Sequence, residues 1–305
     1  MHRSAPGSSG WNVGRGPTMI WVNGHRMSAD SLHLSALDRG FTFADGVFET
    51  MRVYDGHAFR LDAHIRRLSN ATSAVGIPLP TDIGDVVTRA VVEASASGLR
   101  EASVRLTVSR GVGSPGLAPP ASPQPTIVLA IAPPPAFSPE IYANGVTVHV
   151  ASGRRNERAM TAGLKTIAFT DSVLALAEAR AAGADDAIFL DTEGHVSEAT
   201  SSNVFIAAAD SKALVTPPLS CGALPGITRA AVIELASALG LDVEVRPIEH
   251  DELLASREVF LTSSLRAIAP AVSIDGRSVG DGKPGSLTRR VMEAYAALVS
   301  RECGG

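Results

Sequence analysis

Apolar and polar residues alternate over several short stretches of the chain, a pattern typical of strands with one buried face. In the clearest stretch, residues 46–54, Glu49 falls on the same face as Val47 and Met51, and an Asp-Gly pair follows as a hairpin turn. The same pattern predicts further strands at 19–24, 102–110, 126–132, 146–151, 185–206 (a hairpin turning at 192–194), 242–247 and 258–262.

Other stretches carry apolar residues three or four positions apart, which predicts helices with one buried face. These stretches are 61–75, 83–97, 171–182, 228–239 and 286–300. A glycine, the residue that most often ends a helix, closes the first four of them. Runs of strands interspersed with a few helices predict an α+β fold.

The run PPPAFSP, residues 133–139, predicts a linker, because three consecutive prolines continue neither a helix nor an inner strand. It divides the chain into a small α+β domain, 19–132, and a larger mixed-sheet domain, 140–305. Residues 1–18 are rich in Gly, Ser and Pro and are predicted to be a disordered tail. An active site is expected in the cleft between the two domains.

Composition narrows the classes of partner. The net charge is −4 and no basic block occurs, so nucleic acid and anionic membranes are not expected as partners. No apolar run approaches the roughly 18 residues of a transmembrane helix, and the N-terminus lacks the apolar segment of a signal peptide. Two distant cysteines suit a reducing compartment, and we expect a cytoplasmic protein.

Lysine is scarce, and one lysine stands in an unusual setting. Lys212 and Lys283 occur in polar, turn-like sequences, whereas Lys165 lies in AGLKTIAF among apolar neighbours. Burial disfavours the charged ammonium, lowers the pKa of the amine and makes it a nucleophile that can form a Schiff base. The alternative is a lysine whose long side chain simply extends to solvent.

Two further sequences suit an anionic group. ALPGITR, residues 223–229, opens a predicted helix whose free N–H groups and dipole attract phosphate. Arg66 and Arg67 are adjacent on one helix, so one of them should point inward towards a carboxylate or phosphate. Thr-Ser-Ser at 262–264 offers hydroxyl groups after a strand. The alternatives are an ordinary helix start and a surface ion pair.

Glu198 lies in HVSEATSSNVF, on a predicted strand before a polar stretch. A carboxylate beside a pyridine nitrogen keeps that nitrogen protonated and strengthens a pyridine cofactor as an electron sink. The alternative is a glutamate that faces solvent from the strand.

Four stretches occur in a characteristic order: DRGFTFADGVFETMRVYDG (38–56), HIRRL (64–68), the segment from AGLKT to SEATSSNVF (162–205) and ALPGITR (223–229). Together they resemble the class IV (fold type IV) pyridoxal 5'-phosphate enzymes, a group that includes branched-chain aminotransferases, D-amino-acid aminotransferases and 4-amino-4-deoxychorismate lyases. The resemblance extends from Met19 to Leu298. It implies amino-group transfer between an amino acid and a 2-keto acid, and a homodimer.

The resemblance also implies roles for individual residues. Lys165 would carry the cofactor as a Schiff base and move the proton at the substrate α-carbon, and Glu198 would pair with the pyridine nitrogen. The residues implied to bind the phosphate are Arg67, Ile227, Thr228 and Ser264.

The residues expected near the substrate are Arg105, Arg110, Phe43, Phe48 and Thr50. By resemblance, Arg105 corresponds to a position near the substrate carboxylate in branched-chain enzymes, and Arg110 to the carboxylate-binding arginine of D-amino-acid aminotransferases and the lyases. Because they stand five residues apart on one strand, only one is expected to face the substrate. Phe43 and Thr50 depart from the branched-chain pattern, which favours an amino-acid aminotransferase of D-selective type, with the lyase as the alternative.

Other classes of protein explain less of the sequence. GVGSPG, residues 111–116, matches a dinucleotide-binding motif, but the prolines that follow prevent the required helix. The histidines show no metal-ligand spacing on a helix, so no metal is expected. A cofactor-free Schiff-base aldolase would explain Lys165 but not the phosphate-type sequences. A non-catalytic binding protein on the same scaffold is a further alternative.

Overall fold

The computed structural model describes residues 18–28, 33–208 and 213–304. The chain forms two sheets, one on each side of residues 133–139, which form neither helix nor strand. Lys212 and nearly all of the N-terminal tail lie outside the described residues. The mixture of helices and sheets agrees with the predicted α+β class.

The first sheet is antiparallel and has six strands in the order β2-β1-β6-β5-β3-β4. Its strands are β1 Met19–Val22, β2 His25–Met27, β3 Gly46–Tyr54, β4 His57–Ala58, β5 Ala102–Ser109 and β6 Thr126–Ala132. The alternation of 46–54 buries Val47, Glu49 and Met51 completely against the helices of this half.

Three helices accompany this sheet: α1 Arg39–Phe43, α2 Leu61–Val75 and α3 Ile83–Ala96. The apolar faces of α2 and α3 pack on the sheet and complete a single core. Gly76 ends α2 in the left-handed conformation, as predicted, with φ of 66°.

The second sheet has nine strands in the order β12-β11-β10-β13-β14-β7-β8-β9, with β15 paired to β14. They are β7 Val146–Arg155, β8 Asp186–Asp191, β9 Val196–Ala199, β10 Asn203–Ala207, β11 Leu214–Thr216, β12 Val243–Val245, β13 Glu258–Ser263, β14 Ala267–Ile274 and β15 Arg277–Ser278. The sheet is mixed, because β7 is parallel to both β8 and β14.

Five helices surround the second sheet: α4 Glu140–Ala143, α5 Thr170–Ala181, α6 Ile227–Ala238, α7 His250–Ala255 and α8 Ser286–Cys303. α6 and α8 share one apolar core with β10 and β13, and α5 packs on β7 and β8. Among the described residues, no helix combines the length and apolar character needed to cross a membrane.

The two halves are joined by backbone contacts at β3. Val47 forms an isolated bridge with Thr166, and the N–H of Phe48 donates to the carbonyl of Lys165 at 2.9 Å. The segment that carries Lys165 therefore pairs with the start of β3. A site around this lysine consequently lies between the two sheets.

Candidate active site

Lys165 lies on the segment between β7 and α5, with a partly buried side chain. Its Nζ stands 4.4 Å from the ring centre of Phe48 and 5.4 Å from that of Phe169. In the part of the chain that is described, Nζ forms no ion pair with a carboxylate. By contrast, Lys283 is exposed in its turn, as predicted.

The surroundings lower the pKa of Lys165 to about 8. Burial is the main cause, and the positive charge of Arg67 adds to it, while Glu49 and Glu198 oppose the change. About a tenth of the amine is therefore uncharged at pH 7, far more than for an ordinary lysine, and the uncharged amine is the state required of a nucleophile or a proton acceptor.

Glu198 projects from β9 into the same region. Its Oε2 accepts a hydrogen bond from the N–H of Leu224 at 2.8 Å, and its Oε1 lies 3.2 Å from a guanidinium nitrogen of Arg155. Burial raises the pKa of Glu198, whereas Arg155 opposes the rise. The carboxyl group is therefore held by a backbone N–H and a guanidinium, and it suits a further hydrogen bond from a protonated nitrogen.

The start of α6 has the features that favour an anion. Gly226 precedes the helix without any side-chain cap, so the first N–H groups of the helix remain available to a ligand. A Cβ atom at Gly226 would lie 1.9 Å from the side-chain oxygen of Asn203. Only glycine therefore fits at this point without displacing its neighbour.

A cavity of about 280 Å³ connects this helix start with Lys165. Thr228 and Thr262 line the cavity, and the buried hydroxyl of Thr262 has no hydrogen-bond partner within the described residues. Ile227 and Ser264 line it too. A second cavity, of about 230 Å³, contains Lys165 together with Glu198.

Arg67 is the inward-facing member of the arginine pair, while Arg66 is exposed. Its guanidinium forms two hydrogen bonds of 2.8 Å with Glu49, and a third of 2.8 Å with the carbonyl of Pro225 beside the α6 start. Glu49 also contacts His64 at 2.7 Å. Burial opposes ionisation of Glu49, but the hydrogen bonds from Arg67 and His64 outweigh it and hold its pKa well below the usual range.

Arg105 lies at the wall of the same cavity, with its guanidinium carbon 3.3 Å from the ring centre of Phe48. Its hydrogen bond is to the hydroxyl of Thr107 at 3.3 Å, and no acidic partner is found among the described residues. Thr50 lines the cavity as well. Arg105 is consequently available to the carboxylate of a ligand.

Arg110 and Phe43 do not line this cavity, and of the two arginines Arg105 and Arg110 only Arg105 does. Arg110 forms two hydrogen bonds with Asp45, of 2.7 and 2.9 Å, and donates to the carbonyls of Val75 and Gly76. Phe43 is 42% exposed and stacks against Arg39 at 4.8 Å. The carboxylate of Asp45 thus retains Arg110 away from Lys165.

Several residues of the site were missed by the sequence interpretation, among them Phe169, Glu49 and Arg155. Glu49 carried a signal, because a carboxylate on the apolar face of a strand requires a buried partner. Arg155 carried none, because β7 was predicted to end at residue 151 and the structure extends it to 155. The extension brings Arg155 beside Glu198.

Comparison with known proteins identifies the family. The model of the family described as amino-transferase class IV matches residues 46–274. A putative branched-chain-amino-acid aminotransferase of Methanocaldococcus jannaschii is 34% identical over 276 residues, which cover 90% of this chain and 94% of the relative. The D-alanine aminotransferase of Bacillus licheniformis is 32% identical over 290 residues, covering 93% and 98%.

Solved structures agree. The Escherichia coli branched-chain amino acid aminotransferase has a TM-score of 0.86 at 30% identity, covering 92% of this chain and 94% of that one. The T.th. enzyme of the same name, with pyridoxamine 5'-phosphate, has a TM-score of 0.85 at 28% identity, covering 93% of this chain and 94% of that one. The 4-amino-4-deoxychorismate lyase of Pseudomonas aeruginosa has a TM-score of 0.79 at 31% identity, covering 93% of this chain and 98% of that one. The identification made from the sequence motifs is confirmed, and the chain belongs to the class IV aminotransferases, the pyridoxal-phosphate-dependent enzymes of amino-group transfer.

Proposed function

We propose that the protein binds pyridoxal 5'-phosphate through Lys165 and transfers the amino group of an amino acid with an apolar side chain to a 2-keto acid. One observation carries the proposal. The lysine of lowered pKa stands between a carboxyl group, Glu198, and an uncapped helix start that suits phosphate.

The residues fit the cofactor at both of its polar ends. The start of α6, with Ile227 and Thr228, lies at the cavity without a side-chain cap and is suited to the phosphate. Ser264 and Arg67 lie on the same cavity. At the other end, Glu198 would accept a hydrogen bond from the pyridine nitrogen, which keeps the nitrogen positively charged.

When bound, the cofactor supplies an electron sink for the bond broken at the substrate α-carbon. The chain supplies the proton transfer. The amine of Lys165 is uncharged above about pH 8 and can accept the α-proton, and its protonated form can return a proton. The rings of Phe48 and Phe169, close to Nζ, exclude water from this exchange.

The walls of the cavity suggest the class of substrate. Arg105 offers a charge to the substrate carboxylate, and it forms no ion pair with a carboxylate among the described residues. Phe48, Phe137, Phe169 and Leu265 form apolar parts of the cavity wall, beside polar residues such as Ser201, and suit an apolar side chain. These walls, together with the retention of Arg110 by Asp45, favour a donor of the branched-chain kind over one that depends on Arg110.

We propose a homodimer as the working form and a reducing compartment, the cytoplasm, as its location. Several large apolar side chains are exposed in the single chain and would be covered by a second copy. They are Leu37 at 62%, Phe41 at 78%, Leu117 at 81%, Met160 at 100% and Val173 and Leu174 at 63% each. Both cysteines are free, which suits a reducing environment.

The test is the visible spectrum of the purified protein, before and after separate additions of L-leucine, D-alanine, L-glutamate and 4-amino-4-deoxychorismate. We expect L-leucine to bleach the band of the lysine-bound cofactor, and Lys165→Ala to abolish both the band and turnover. Lys283→Ala, at an exposed lysine, is the matched control. If the protein ignores every amino acid but releases pyruvate from the chorismate compound, it is the lyase and the proposal fails.

A further inference from the structure

Three side chains with metal-binding atoms meet away from the cavities described above. Asp191 ends β8, His195 follows in the β8–β9 turn, and Cys221 ends the 3-10 turn Leu219–Cys221. One potential ligand atom from each lies within 4.8 Å of the others. The histidine and the cysteine are separated by 25 intervening residues, so no short sequence motif contains all three side chains.

The carboxylate of Asp191 divides its two oxygens between different tasks. Oδ1 accepts the N–H groups of Glu193 and His195 at 3.0 and 2.8 Å and so builds the turn. Oδ2 faces Nδ1 of His195 at 3.5 Å, which is longer than a good hydrogen bond. One oxygen therefore fixes the carboxylate while the other points into the group of three.

The imidazole of His195 is oriented from its far side. Nε2 lies 3.2 Å from a carboxylate oxygen of Glu249, and the backbones of the two residues form an isolated bridge. A carboxylate on the second ring nitrogen is a common partner of metal-binding histidines, because it leaves the first nitrogen unprotonated and fixes the ring. Here that arrangement would present Nδ1 to Asp191 and Cys221.

Cys221 is held in place by the residue that follows it. Gly222 has φ of 81°, and a Cβ there would approach Arg155 at 2.9 Å and Glu157 at 3.3 Å. The 3-10 turn therefore lies tightly against the end of β7. The thiol is buried.

The local charge favours a cation. Burial raises the pKa of the Cys221 thiol to about 12, and the hydrogen bond and charge of Asp191 and the charges of Glu157 and Glu193 add to the effect. Two arginines lie nearby, but Arg155 pairs with Glu198, and Arg158 pairs with Glu157 and Glu193 at the exposed rim. A bound metal ion would reverse the effect on the thiol, because it stabilises a coordinated thiolate.

We propose that Asp191, His195 and Cys221 bind one divalent cation of the zinc class, with water as a fourth ligand. Sulfur, nitrogen and oxygen donors together suit Zn²⁺, whose bonds to them are about 2.0–2.3 Å. Binding forms three bonds to the metal and breaks the S–H bond of Cys221, whose proton passes to solvent. No oxidant or other reactant is required.

The site would join two segments that support Glu198. His195 leads directly into β9, which carries Glu198, and Cys221 leads to Leu224, whose N–H donates to that carboxylate at 2.8 Å. The metal is therefore structural, and its binding does not depend on the proposed aminotransferase function.

The experiment adds ZnCl₂, and separately CoCl₂, to metal-free holoprotein at neutral pH and measures bound metal after desalting. We expect one Zn²⁺ per chain and, with Co²⁺, a near-ultraviolet thiolate-to-metal charge-transfer band. Cys221→Ser and His195→Gln should each weaken binding at least about tenfold, and Cys221→Ser should remove the band. The cofactor is common to all samples and cancels in the difference spectra.

Cys303→Ser is the matched control, because Cys303 is also free and buried but lies at the end of α8. It should bind zinc as the parent protein does. Absence of stoichiometric zinc in the parent overturns the proposal and leaves a hydrogen-bonded Asp–Cys pair. Equal binding by the parent and the folded Cys221→Ser and His195→Gln proteins overturns it as well.

Discussion

Replacing Lys165 with methionine should make the cofactor-free protein more stable at neutral pH. The change removes the ammonium and retains a side chain of similar length and flexibility. The pKa of Lys165 falls from the ordinary 10.5 to about 8, because the folded protein disfavours the charged form. At 1.36 kcal/mol per pH unit, and after allowance for partial exposure, the charged lysine costs about 2–3 kcal/mol of folding free energy.

The sign of the pH dependence follows from the two pKa values. Below about pH 8 the lysine is charged in both the folded and the unfolded chain, and the full cost applies. Between about 8 and 10.5 the unfolded chain binds more protons than the folded one, so the free energy of unfolding rises with pH. Above that interval the cost is absent, and the advantage of methionine disappears.

The assay is urea denaturation of the apoproteins at pH 7 and at pH 10, after removal of the cofactor. Lys165→Met should exceed the parent by about 2–3 kcal/mol at pH 7 and by much less at pH 10. Lys283→Met controls for the loss of one positive charge at an exposed position. A Lys165→Met protein that is no more stable than the parent at pH 7, or whose advantage is the same at both pH values, would refute the reasoning.

Three other substitutions separate substrate binding, cofactor binding and stability. Arg105→Gln should raise KM for the donor amino acid about 10–100-fold with an unchanged visible spectrum, whereas the exposed Arg66→Gln leaves KM unaltered; steady-state kinetics decide. Gly226→Ala should weaken cofactor binding at least about tenfold, because its Cβ would lie 1.9 Å from Asn203, and titration of the apoprotein with pyridoxal phosphate measures the loss. Asp45→Asn should lower the free energy of unfolding by about 2–3 kcal/mol, since two arginines lose their shared carboxylate; an unchanged urea midpoint would contradict this.

Sequence patterns were sufficient where local chemistry decides the structure. The helix predicted at 61–75 agrees with α2, and those at 83–97 and 228–239 agree with α3 and α6 within one residue at each end. In each case an amphipathic face and a terminal glycine act together. The hairpin turning at 192–194 is found as β8 and β9, although the strand breaks at 200–202 before β10 begins.

Elements that depend on distant residues were missed. β14 contains Pro270, and a proline argues against an inner strand because it has no N–H to donate. The pairing of β14 with β7 begins only at Ala271, so the N–H that Pro270 lacks is not needed for this pairing. The five-residue helix α1 is anchored by Asp38, whose carboxylate accepts hydrogen bonds from Ser109 and Thr126. No window around residue 39 contains these partners.

The candidate site divides in the same way. Lys165 stood out through its apolar neighbours, and Glu198 and the 223–229 sequence through the order of motifs. Strand alternation predicted that only one of Arg105 and Arg110 faces the substrate, but it could not say which. The residue that decides this is Asp45, the partner of Arg110, which lies 65 positions away in the sequence. Charge pairing across the fold is not encoded in local periodicity.

The backbone hydrogen bond from Phe48 to Lys165 has a consequence for recombining this protein with its relatives. Residues 133–139 are the obvious place for a crossover, because this segment separates the two sheets along the chain. Such a chimera would nevertheless join β3 of one parent to the lysine segment of the other. Compatibility between parents therefore depends on residues 46–50 and 164–169, and these two segments should be exchanged together, as should pairs such as Arg67 and Pro225.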